Sequence, residues 1–225
     1  MPGMSRPLAT NAGFTLVELA VVLVIVALLT GGLLLGVSAQ RNAAEVVDAR
    51  TRLDTIREAL LGYAMSKGRL PCPAPTGLPS GKENCALEHG VLPWVDLGIP
   101  EVDPWGQRYT YYASSAFTST VAGGAQASFS MTTNGNANVK DTAAVGGVNI
   151  ASDLPAVVVS HGSRGNGGWR PDGTQVPGAS GDELENANGN LTFVSRTFGD
   201  SFDDLLTWIS PNILKAKMVA AGRLP

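Results

Sequence analysis

Charge is scarce in these 225 residues: Asp, Glu, Lys and Arg together make up 16% of the chain, and the formal net charge is −3. No basic run interrupts that pattern, so nothing electrostatic favours a nucleic acid as partner. Histidine is scarcer still. His89 and His161 are the only two, and neither stands in an HExxH zinc motif. Gly-x-Ser-x-Gly and the phosphate-binding glycine loop are missing as well, as are internal repeats. Ser160 and His161 are sequence neighbours, which is not how a catalytic hydroxyl and its base are normally built. A surface or turn histidine is expected there, and the chain is read as no enzyme. Cys72 and Cys85 are the only cysteines, and no CxxC is present. In an exported domain such a pair suggests a disulfide; in the cytosol it would be two thiols.

What the chain does have is an apolar run. Leu19 to Leu29 contains no polar residue, and Phe14 to Val37 is 24 residues with one charge, Glu18. As a helix that stretch is about 36 Å long, enough to cross a bilayer core with some tilt. A secretory signal cut near Val37-Ser38-Ala39 is one reading, but its apolar region should run only about 7–15 residues. A plain single-pass anchor is another. Neither explains a carboxylate inside the apolar stretch, five residues after Gly13. An unpaired Glu in a membrane costs a few kcal/mol or so and is functional by default.

Gly13-Phe14-Thr15-Leu16-Val17-Glu18, followed by apolar residues through Leu29, resembles the type III signal of type IV prepilins and type II secretion pseudopilins. The resemblance implies that prepilin peptidase cuts after Gly13 on the cytoplasmic side and methylates the new amine of Phe14. It also implies that Glu18 faces the amine of a neighbouring Phe14 in a filament. Two features depart from the pattern: the leader has only Arg6 as a basic residue, with Met4 a second possible start, and the anchor lacks proline. Thr30-Gly31-Gly32 and Gly36 supply a different weak point, since each Gly costs roughly 1 kcal/mol of helix stability. The same small residues would also suit close helix packing.

Beyond the anchor, Val46, Ala49, Leu53, Ile56, Leu60 and Tyr63 recur at helical spacing and form one apolar stripe. Asp48 with Arg52, and Arg50 with Asp54, are i,i+4 pairs; Gly68 and Pro71 stop the helix. The expected organisation is a leader over 1–13, a membrane and filament-core helix over 14–37, an amphipathic half over 38–68, and a periplasmic globular domain over 69–225. The expected fold is α+β and type IV pilin-like: a long N-terminal helix packed on a small antiparallel sheet. Asp103-Pro104-Trp105-Gly106, with Tyr109 and Tyr111 after it, is similar to a major-pseudopilin segment in which a turn feeds the first strand. Ala127–Thr132, Pro155–Ser160 and Leu191–Arg196 are further strand candidates. Phe202 to Leu224 reads as an amphipathic helix broken at Pro211.

Residues 161–190 form a glycine-rich stretch with eight Gly and two Pro. Asp172, Asp182, Glu183, Glu185 and Asn188 offer hard oxygen ligands there, a set that suits Ca²⁺. A solvated acidic loop is the plainer reading, and the spacing does not align with the calcium loop of major pseudopilins. No other cofactor is expected. The implied partners are prepilin peptidase, other pilins or pseudopilins, an assembly platform protein and the inner membrane. The implied role is a structural subunit, a minor pilin or pseudopilin, of a type IV filament or type II secretion system. The alternative is a tip-located binding module for a surface, DNA or secreted substrate, with the glycine-rich loop as its recognition surface.

Overall fold

The structure is a computed structural model that describes residues 13–77 and 80–225, and of residues 31–39 the backbone alone. The leader through Asn11 and Ala12, including Met4 and Arg6, lies outside the described residues. The chain divides into two units, Met1–Ala44 and Glu45–Pro225.

Helix α1 (Leu16–Lys67) is 52 residues long and includes Gly31, Gly32 and Gly36 within its helical backbone. In the first unit its described side chains, Leu16 to Thr30, are all exposed. Among the described residues no helix is long and apolar enough to cross a membrane. The expected span over 14–37 runs on into residues whose side chains are not described.

In the second unit the expected stripe is buried: Ala49, Leu53, Ile56 and Leu60 are core residues, joined by Leu61 and Ala64. The helix ends where Gly68 takes a left-handed φ of 76°, a conformation glycine adopts without penalty. Asp48 and Arg52 pair at 2.9 Å, but Asp54 pairs with Arg57 at 3.3 Å and not with Arg50. Both spacings place partners on one helix face, and here the i,i+3 arginine is the one within reach of Asp54.

Past the cysteine loop come β1 (His89–Val91), α2 (Trp94–Leu97), β2 (Thr110–Ala113), α3 (Ser115–Thr118), β3 (Ala137–Lys140), β4 (Asn149–Leu154) and β5 (Ala156–Ser160). They are followed by α4 (Gly181–Glu185), β6 (Thr192–Val194), β7 (Leu205–Ile209) and α5 (Pro211–Ala220). A four-stranded antiparallel sheet has the order β1-β2-β5-β7. One face packs on α1 and α5, with Leu53, Ile56, Leu60, Tyr111, Ala113, Val158, Ile209 and Met218 in one core. The fold is α+β, a long helix on an antiparallel sheet.

The other face of that sheet carries Tyr112, Val157 and Val159 and meets a second, three-stranded sheet of order β4-β3-β6. Its β3–β6 pair is parallel. This second sheet was not expected, because β3 and β4 are short, rich in Asn and Asp, and mostly exposed on β4. Ala127–Thr132, expected as a strand, is loop: Ser128 N–H donates to the Gly68 carbonyl at 2.9 Å, and Ser130 and Thr133 bond each other locally. Hydroxyl side chains that bond nearby backbone compete with a sheet ladder. The C-terminal helix is also corrected. Leu205–Ile209 is strand β7, paired with all of β5, and helix begins only at Pro211. Proline suits the first helical position, where its missing N–H costs nothing.

Candidate functional site

At the start of α1, Thr15 acts as the cap. Its Oγ1 accepts the Glu18 N–H at 3.2 Å and its carbonyl accepts the Leu19 N–H at 3.1 Å. Thr15-Leu16-Val17-Glu18 has capping-box spacing, which places Glu18 in the first turn. A carboxylate is favoured there by the positive end of the helix dipole. The backbone just before it is open. A Cβ built on Gly13 would meet nothing within 4 Å, and Phe14 is 78% exposed. Thus an open glycine and an exposed phenylalanine stand just before the helix, and a carboxylate lies in its first turn, ahead of exposed Leu, Val and Ile side chains.

Cys72 and Cys85 form a disulfide, with Cα atoms 5.0 Å apart. Glu83 organises the loop they close. Its carboxylate accepts the Cys72 N–H at 2.9 Å, the Tyr63 hydroxyl at 3.0 Å and two N–H groups of Arg69. Burial, with the Glu83 charge adding to it, pushes the Tyr63 hydroxyl up to about 12. Sequence reading paired the cysteines but did not find Glu83, which reaches back across the loop to a helix residue.

In the Asp103-Pro104-Trp105-Gly106 turn, Asp103 Oδ1 accepts the N–H groups of Trp105 and Gln107, at 3.0 and 2.9 Å. Trp105 Nε1 donates to Glu45 on α1 at 2.9 Å, so the turn is tied to the helix. Burial pushes the Asp103 carboxyl up, against bonds from Ser160, Gln107 and Trp105 that favour its charged form.

The residues named for Ca²⁺ go separate ways. Asp172 accepts from the Thr174 N–H and hydroxyl, at 2.8 and 2.6 Å. Asp182 accepts from Ala143 N–H at 2.7 Å and pairs with Arg196 at 2.8 Å. Glu185 accepts from Asn188 and Asn190, at 2.8 and 2.6 Å. Only Glu183 belongs, among the described residues, to a cluster of close carboxylates, and its companions are Asp203 and Asp204. Arg164 Nη2 donates to both Glu183 and Asp203, so a guanidinium already serves as their counter-charge. Arg164 N–H and Ser163 Oγ donate to Asp203 Oδ2, at 2.8 and 3.1 Å. The five residues read from sequence therefore do not make one ligand set. Burial pushes the Glu183 carboxyl up; Asp204 adds to that, while Asn166 and Arg164 work against it.

His161 is fully buried, not a surface or turn residue. Nε2 lies 2.8 Å from Thr110 Oγ1, and Nδ1 lies 3.6 Å from Asp204 Oδ1. The ring is closed off from solvent; its bond to Thr110 ties the start of the glycine-rich stretch to β2, while Nδ1 and Asp204 Oδ1 face each other without a hydrogen bond. Sequence reading missed Asp203, Asp204 and Arg164. The available signal was an acidic pair set between Phe202 and Leu205, both apolar: such a pair, when buried, needs a cation or donors close by.

Comparison with known families fits the N-terminal geometry. Residues 8–34 match the prokaryotic N-terminal methylation motif. That motif is the signal of type IV pilins and pseudopilins, and it takes in Gly13, Phe14 and Glu18. The comparisons with curated proteins and with solved structures return no match.

Proposed function

We propose that this chain is a structural subunit, a minor pilin or pseudopilin, of a type IV filament or type II secretion system. The observation that carries the reading is the methylation motif over residues 8–34, on a helix whose first described apolar side chains are all exposed. In this reading prepilin peptidase cuts after Gly13 and methylates the Phe14 amine. The segment 14–37 holds the subunit in the inner membrane, with the C-terminal domain in the periplasm, until an assembly platform moves it into a filament beside other pilins. There the Glu18 carboxylate meets the Phe14 amine of a neighbour. Opposite charges in a low-dielectric helix bundle attract strongly and offset each other's burial. The exposed apolar side chains from Leu16 to Leu29 are the surface that such helix packing would cover.

Intact-mass measurement of the protein from a host with prepilin peptidase tests this. The expected mature chain begins at Phe14 and carries one added methyl group. A terminus at Gln40, or an uncut chain in a host that processes other prepilins, would overturn the reading.

A further inference from the structure

We propose that Arg164 is the built-in cation of the glycine-rich stretch, holding Glu183, Asp203 and Asp204 together in place of the Ca²⁺ that the acidic residues there suggest. The donor set decides against a bound metal while Arg164 is in position. Each of the three acidic residues offers a carboxylate oxygen, and these oxygens all lie within 4.8 Å of one another. Arg164 Nη2 donates to Glu183 Oε1 and, at 3.2 Å, to Asp203 Oδ1. Glu183 Oε2 accepts from Asn166 Nδ2 at 3.2 Å, and Asp204 Oδ2 accepts from Asn186 Nδ2 at 2.8 Å. Asp203 Oδ2 accepts from the Arg164 N–H and from Ser163 Oγ. Every carboxylate oxygen except Asp204 Oδ1 therefore already has a donor. Ca²⁺ takes about six to eight oxygens at close range, and oxygens engaged in this way are not free to form such a shell.

The chain is built to bring this one guanidinium into place. Gly162 has a φ of 63°, and a Cβ there would collide with the Asp203 carbonyl and carboxyl groups. Glycine alone lets residues 161–164 wrap so closely around Asp203. The turn sets the Arg164 N–H on Asp203 and its side chain on Glu183, while Nη1 donates to the Asp200 carbonyl at 2.5 Å. One side chain thus joins both ends of the glycine-rich stretch to the segment before β7. It enters from the solvent side: the Arg164 side chain is 35% exposed, against 3% for Glu183 and for Asp203. Buried carboxylates this close repel one another unless a cation stands between them. A covalently attached cation supplies that charge whatever ions surround the protein, so the stretch keeps its shape without metal.

Two atoms show what the guanidinium leaves over. Asp204 Oδ1 and His161 Nδ1 are buried, 3.6 Å apart and without a hydrogen-bond partner. With Arg164 removed, Glu183 Oε1 and Asp203 Oδ1 join Asp204 Oδ1 as acceptors without donors, in a cluster now open to solvent. That cluster becomes a divalent-cation site once its own cation is gone.

Thermal melts of the full chain in detergent test this, in chelator, in millimolar Ca²⁺, and in NaCl of the same ionic strength. Wild type is expected to melt at one temperature in all three. Arg164→Gln should melt at least about 4 °C lower than wild type in chelator. Ca²⁺ should restore most of that loss, and NaCl should not. Arg164→Lys keeps the charge, so it should fold without Ca²⁺ and gain nothing from it. A wild-type melting temperature that drops in chelator would overturn the inference, because a metal would then hold the cluster. So would an Arg164→Gln variant that melts like wild type, or one that Ca²⁺ fails to restore, including one that stays unfolded in its presence. An Arg164→Lys variant stabilised by Ca²⁺ as strongly as Arg164→Gln would also count against it. None of these results bears on the filament reading, which rests on the N-terminal motif.

Discussion

The Arg69 guanidinium donates two hydrogen bonds to the Glu83 carboxylate, at 2.8 and 2.6 Å. Burial pushes the Glu83 carboxyl up, yet bonds from Arg69, the Cys72 N–H and Tyr63 outweigh it and hold the group below the usual carboxylate range. A folded pKa below the unfolded one means stability that is present above the unfolded value and lost as pH falls through the folded one. Glu83→Gln should therefore cost about 2 kcal/mol at neutral pH. It should also flatten the loss of stability below pH ~4.5. Thermal melts of the full chain in detergent across acidic pH provide the check; a variant that loses stability as steeply as wild type would contradict it.

Glu183 should behave with the opposite sign. Its carboxyl is pushed up by burial and by Asp204, so the protonated form favours the fold. That contribution is complete below the unfolded pKa and is lost as pH rises through the folded one. Glu183→Gln should remove this decline, making melting temperature less dependent on pH just above the ordinary carboxylate range. Parallel melts of the Glu83 and Glu183 variants would show two slopes changing in opposite directions.

Reducing the Cys72–Cys85 bond, which spans a sequence separation of 13, should cost about 3 kcal/mol in the chain-entropy model. For a domain of this size that is a fall in Tm of roughly 6–12 °C. Differential scanning with and without reductant measures it. Alkylation of native protein should label no cysteine until reductant is added.

Glu18→Ala should still be cleaved and still reach the membrane, since it removes a costly charge from an apolar segment. Incorporation into sheared filaments, normalised to membrane levels, should fall, because a neighbouring amine would be buried without its partner. Glu18→Gln, close in shape but neutral, should resemble Ala. Thr15→Val removes only the cap, at about 1 kcal/mol of local helix stability. Its incorporation should therefore exceed that of Glu18→Ala, and the reverse order would mean that helix start, not charge, governs assembly.

Periodicity and helix ends were legible in the amino-acid order alone, although the choice of a local ion-pair partner was not: Asp54 paired with Arg57 and not with Arg50. Gly68 is where α1 ends, and Ala49 to Leu60 follow a helical period, so each feature is written in local spacing. The two cysteines needed only their count and an exported setting. Where local signals were weak or two-sided, long-range partners decided. Leu205-Leu206-Thr207-Trp208-Ile209 fits either period, and it became a strand because β5 supplied a complete ladder beside it. The acidic residues near position 183 looked like one ligand set because they are close in sequence. Folding instead placed Glu183 with Asp203 and Asp204, and Arg164 between Glu183 and Asp203. A buried carboxylate takes whichever counter-charge the packed chain brings within hydrogen-bond reach, and that choice is made by tertiary structure, not by order along the chain.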